Sequence, residues 1–145
     1  MKDKIASILD QAADPEQPWV WLPTDTEPEL WELLVKAAHK AGFAVIDLDA
    51  ESEITSQKEL IQAFQDQAGA ADWAGSSMNA LKDTLAGLPK ESKGWVIVLR
   101  NPDTLAEQDP ETFEDLLDVV ETANDARTKN PITLITLDAD EDAAA

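Results

Sequence analysis

Trp95-Val96-Ile97-Val98-Leu99 runs between Gly94 and Arg100 without a polar residue. A strand with one wet face alternates apolar and polar side chains, whereas an unbroken apolar run belongs to a strand covered on both faces, the habit of a parallel sheet. Phe43-Ala44-Val45-Ile46-Asp47-Leu48 reads the same way, either as a central strand or as one with covered faces. Ile132 to Leu137 follows the breaker Asn130-Pro131 and supplies a third run. Trp19-Val20-Trp21-Leu22 lies between Pro18 and Pro23, which predicts a short strand at a sheet edge, where proline is tolerated. Its two tryptophans are expected to pack in the core, with a surface patch as the alternative.

Helical patterns separate these strands, so parallel pairing through crossovers is the expected architecture. Residues 1–13 place Ile5, Ile8, Leu9 and Ala12 at helical spacing. Thr26-Glu27-Pro28-Glu29 has the form of a capping box ahead of a broad stripe of Leu30, Trp31, Leu33, Leu34, Ala37, Ala38 and Ala41, and Gly42 is the natural stop. Residues 56–67 turn Leu60, Ile61, Ala63 and Phe64 inward. Arg100-Asn101-Pro102-Asp103 is expected to turn the chain out of the sheet. Asp109-Pro110-Glu111 starts a helix with Asp109 as cap, whose buried stripe is Phe113, Leu116, Leu117, Val120 and Ala123. Its outward face carries Glu114, Asp118, Glu121 and Asp125, a carboxylate ridge that is either a solvated face or a surface complementary to a basic partner.

At 145 residues the chain can bury a single core without staples. It has no cysteine, which excludes a disulfide framework and thiolate chemistry. Met1 to Ile5 leads into no long apolar run, so neither a secretory leader nor a membrane span is expected and the cytoplasm is the default. Eleven Lys and Arg against 30 Asp and Glu give a formal charge of −19. Such a field repels nucleic acid and anionic membranes and speeds encounter with a basic protein.

Enzymatic features are sparse. His39, the only histidine, stands near a helix end with no evident partner for acid–base work. Asp47, Asp49, Glu51 and Glu53 alternate after a strand, but without a glycine or the order of a calcium loop they read as solvated side chains, and no metal site is expected. No phosphate loop, dinucleotide fingerprint or nucleophile–base pair occurs, so neither a cofactor nor a catalytic residue is assigned.

The segment between the helix at 56–67 and the central strand is Trp73-Ala74-Gly75-Ser76-Ser77-Met78-Asn79-Ala80-Leu81-Lys82-Asp83-Thr84-Leu85-Ala86-Gly87-Leu88. Read as a helix from near Ser76, it puts Met78, Leu81 and Leu85 on an apolar face and turns Asn79 and Asp83 outward, flanked by Ser76 and Lys82. A short helix that aims an amide and a carboxylate at solvent, entered through Trp73 and a flexible Gly75, reads as a docking surface. Trp73, Gly75, Ala80, Leu81, Asp83 and Leu85 reproduce a pattern that resembles the barstar-like family, intracellular inhibitors of secreted bacterial ribonucleases of the barnase type. The flanking order of strand, helix, strand, helix and strand agrees over roughly residues 43–138. Ser77 stands where the family usually has Asn, Asn79 where it usually has a second acidic residue, and Lys82 where a large aromatic is sometimes found.

The expected fold is therefore α/β: a barstar-like parallel sheet of three core strands plus one N-terminal strand, with helices packed against it. Residues 1–42 are expected to extend that sheet, residues 43–138 to form the barstar-like domain, and residues 139–145 to be a disordered acidic tail. The resemblance implies a non-enzymatic protein, a monomer when free, that binds a basic ribonuclease or related toxin through Asp83 as anchor. Asn79, Ser76, Trp73, Gly75 and Lys82 would surround the anchor, and Glu121 would extend the patch. The competing expectation is an acidic interaction module with a different partner, held through the N-terminal extension and Trp19, Trp21 and Trp31.

Overall fold

The computed structural model describes residues 2–12, 14, 16, 18–23, 26–49, 53–68, 78–87, 93–127 and 130–137. In chain order these form α1 (Lys2–Ala12), β1 (Trp19–Leu22), α2 (Pro28–Lys40), β2 (Ala44–Asp47), α3 (Gln57–Ala68), α4 (Met78–Ala86), β3 (Trp95–Leu99), α5 (Pro102–Gln108), α6 (Pro110–Asp125) and β4 (Ile132–Leu137). The strands make one four-stranded sheet in the order β1-β4-β3-β2, and every pairing is parallel. This is the expected α/β architecture, including the N-terminal strand, which pairs Trp19 with Leu134 and Leu22 with Leu137 at the edge.

The unbroken apolar runs are explained by two cores, one on each face of the sheet. Ile97, Leu99, Ile132 and Leu134 point into a core with α3, α4, α5 and α6, through Leu60, Phe64, Leu81, Leu85, Leu105 and Leu116. Their neighbours Val96, Val98 and Ile135 point the other way, under Ile5 and Ile8 of α1 and Leu30, Trp31, Leu34 and Ala38 of α2. Side chains of successive strand residues alternate between faces, so both sets must be apolar when both faces are covered. β2 lies at the other edge of the sheet, and its apolar character comes from covered faces rather than a central position.

Several local expectations change. The box at residues 26–29 does not form: Thr26 Oγ1 donates to the Pro23 carbonyl at 2.6 Å, and Glu27 takes the position before the helix without a side-chain cap. Pro28 begins α2, where its missing N–H is harmless. Leu33 falls off the buried stripe and is exposed. Gly42 does end the helix, with φ +99°, a left-handed conformation that side chains with a Cβ rarely adopt. A cap does form at α3, where Glu59 N donates to Ser56 Oγ at 3.2 Å and the Glu59 carboxylate reaches back one residue further, accepting from Thr55 N at 2.8 Å. Residues 100–103 do not simply turn the chain: Pro102 opens α5, which buries Leu105.

Asp49 is the clearest correction. Expected to be solvated, it is 6% exposed and accepts the backbone N–H groups of Arg100 and Asn101, each at 2.8 Å. These donors lie just beyond the end of β3, where the ladder with β2 has ended. Asp47 beside it is also engaged, in an ion pair with Arg100 (Nη2 to Oδ2, 2.5 Å; Nε to Oδ1, 3.2 Å). Glu51 and the segment 139–145 lie outside the described residues.

Candidate functional site

α4 is short and two-sided. Leu81 and Leu85 have no exposed surface and pack in the core beside α6, while Asp83, between them in sequence, is exposed. This follows from the helical period, which sets residues four apart on one side and turns the residue between them away. Lys82 is half-buried beside it. Asn79 lies in the helical body of α4, its side chain outside what the structure describes; Trp73, Gly75 and Ser76 are likewise outside the described residues. The structure therefore brings forward Asp83 and Lys82 from the expected surface and leaves the rim unplaced.

α6 packs directly against α4. Its inward residues are Thr112, Leu116, Val119, Val120, Ala123 and Asn124, while Phe113 and Leu117, expected in the stripe, are half-buried at the margin of the core. Glu114, Asp118, Glu121 and Asp125 are all exposed, so the carboxylate ridge exists as an outward face of the helix that adjoins α4. With a formal charge of −19 behind it, this side of the molecule offers acid to anything that approaches.

Two side chains that sequence reading passed over hold this arrangement. Arg127 is fully buried just beyond α6, and its guanidinium donates to the carbonyl oxygens of Leu85 and Ala86 at the end of α4. Asn124 Oδ1 accepts from Ile132 N at 3.0 Å and so fixes the start of β4 to the last turn of α6. The available clue for Arg127 was a cation placed just after a helix, a position that favours contact with carbonyl ends.

The tryptophans expected to form a second docking face are not assembled into one. Trp31 lies on the buried face of α2, and Trp19 is half-buried with its Nε1 donating to the Leu117 carbonyl at 3.0 Å. Trp21 alone of the three is open, at 39% exposure.

His39 is exposed at the end of α2. A cavity of about 510 Å³ lies between the end of β2 and α3, lined by Asp47, Glu53, Ile54, Glu59, Gln62 and Asp66 among others. Glu59 there accepts from the Thr55 hydroxyl and N–H, and these bonds hold its carboxyl below the usual range. Among the described residues no group of three or more His, Asp or Glu could hold a metal ion, and no helix is long and apolar enough to cross a membrane.

Fold and surface together define a parallel α/β protein in which two adjoining helices, α4 and α6, present exposed carboxylates. The chain belongs to the barstar family: the family model described as Barstar (barnase inhibitor) matches residues 43–137. That family is one of inhibitors rather than enzymes. Comparison with curated proteins finds no match.

Proposed function

We propose that this chain inhibits a basic ribonuclease of the barnase type by seating Asp83 in its active site, with the α6 ridge as a flanking acidic wall. The observation that carries the reading is the disposition of α4: its apolar residues Leu81 and Leu85 are wholly buried, and Asp83 is presented to solvent on the helix that α6 braces. A carboxylate there stands in for a substrate phosphate, and the acidic ridge steers a cationic enzyme toward it. Lys82 sits beside the anchor, so the partner's matching surface carries an acceptor or a gap at that point. Asn79, Ser76, Trp73 and Gly75 complete the rim in this reading, and residues 1–42 extend the same domain. The chain acts as a monomer in the cytoplasm and needs no cofactor.

Titration into a barnase assay tests the proposal. Wild-type chain is expected to inhibit, and Asp83→Ala to weaken binding by roughly a hundredfold or more, because a few central residues dominate such interfaces. Barnase and barstar are themselves a reference pair for that statement and for charge steering, so the size is inherited from the family. Glu32→Ala, an exposed carboxylate on α2 across the sheet, should change little. The association rate should fall steeply as salt rises. Equal losses for Asp83→Ala and Glu32→Ala would remove Asp83 from the interface.

A further inference from the structure

Among the described residues, Arg127 is the bulkiest side chain that the fold buries completely. Taking a guanidinium out of water costs several kcal/mol unless hydrogen bonds repay it, and an apolar residue of similar size often serves burial as well. The repayment here is specific in place. Nε donates to the Asn130 carbonyl at 2.8 Å and Nη2 to the Asn130 side-chain oxygen, while Nη1 donates to the carbonyls of Leu85 at 3.3 Å and Ala86 at 3.2 Å.

One end of the guanidinium thus grips the connection between α6 and β4, which is tied to the sheet by Asn124 and the ladder of β4 with β3. The other end grips the last residues of α4, whose carbonyls have no acceptor-satisfying N–H within the helix. A cation is also favoured at that negative end of the helix dipole. Asp83 lies in the same closing turn, where its own carbonyl accepts from Gly87 N at 3.1 Å. A cation with no exposed surface therefore clamps the turn that carries the candidate anchor.

We propose that Arg127 is the positioning residue for Asp83: it fixes the last turn of α4 against the α6–β4 connection, so that the anchor and the α6 ridge reach the partner in one preset arrangement. The proposal rests on the inhibitory reading above. Presetting spares the complex the entropy of ordering the turn on binding, and its loss appears in the dissociation rate.

Arg127→Lys keeps the charge but loses the planar fork that reaches both carbonyls and Asn130. Asn130→Ala, a milder variant, removes the side-chain amide and with it the acceptor of Nη2, while the backbone carbonyl that Nε holds stays in place. Ile8→Val, which trims a core residue of α1 on the opposite face of the sheet, serves as the comparator for plain loss of stability. With barnase as the probe, Arg127→Lys is expected to raise Kd roughly tenfold, mainly through faster dissociation, with Asn130→Ala moving the same way and Ile8→Val not moving it. The cost of Asp83→Ala is expected to shrink in the Arg127→Lys background, since the two act as one unit. Full additivity of the two substitutions, or an equal change in Kd from Ile8→Val, overturns the proposal.

Wild-type chain that leaves barnase untouched would instead sink the inhibitory reading. Amide exchange then decides the positioning role by itself. Faster exchange at Leu85, Ala86 and Gly87 in Arg127→Lys and Asn130→Ala, without the same change in Ile8→Val, supports the clamp, and unchanged exchange overturns it.

Discussion

Asp49 shows how a single carboxylate can be misread from its neighbours in sequence. Four acidic residues at alternate positions look like a wet loop, yet the backbone N–H groups of Arg100 and Asn101 need acceptors where the ladder stops, and Asp49 supplies both oxygens. Burial pushes its carboxyl above the ordinary value of 3.8; backbone hydrogen bonds from Arg100, Asn101 and its own N–H pull the other way, and Asp47 adds a smaller upward push. A raised value means that the folded chain keeps the proton at a pH where the unfolded chain has lost it. The stability contributed by that proton is fully present below 3.8 and is lost as the pH rises through the folded value. Asn at this position does not titrate and offers one acceptor for two donors, so Asp49→Asn should destabilise by about 1–3 kcal/mol. The stability difference between wild type and the variant should narrow with rising pH across that window. Urea unfolding at stepped pH measures it, and a difference independent of pH would show that burial does not govern this carboxyl.

Among the elements, the strands were legible almost to the residue because each apolar run begins abruptly after a proline or glycine and stops at a proline or a charged residue: β1, β3 and β4 span the expected ranges. The helices were legible where the stripe is long, as in α2 and α6. α5 was not, although Asn101-Pro102-Asp103 has the same form as Asp109-Pro110-Glu111, read as a helix start. Seven residues with only Pro102 and Leu105 buried give too little period to detect. The site was partly legible. Spacing alone turned Asp83 outward, but the clamp from Arg127 spans 41 and 42 residues and leaves no periodic trace. Asp109 joins α5 to α6. Its N–H closes the end of α5 on the Leu105 carbonyl, and its carboxylate accepts from Thr112 N at 3.4 Å and Thr112 Oγ1 at 2.8 Å. Asp109→Ala should therefore cost about 0.5–2 kcal/mol, the usual loss of a helix cap, while Asp109→Ser or Asn recovers most of it. Thermal unfolding of the three variants checks the order, and an Ala variant as stable as wild type would mean that Pro110 alone starts the helix.

At the scale of the molecule, the family match begins at residue 43, yet half of the sheet's shelter lies before that point. Phe43, Val96, Val98 and Ile135 are buried by α1 and α2, β1 closes the free edge of β4, and Thr133 Oγ1 donates across the core to the Ala12 carbonyl at 3.0 Å. Removing residues 1–42 would leave the apolar side chains of β3 and β4 on that face in water and open a strand edge, which invites association. The proposal that these residues extend one domain thus predicts that a chain of residues 43–145 does not unfold cooperatively on its own. Denaturant titration should give a broad transition of reduced slope, with raised binding of a hydrophobic dye, where the full chain gives one steep transition. Barnase binding should be lost with it, even though Asp83 and the α6 ridge are all present in the shorter chain. A steep, dye-free transition for residues 43–145 would establish the matched segment as self-sufficient and residues 1–42 as a separate addition to it.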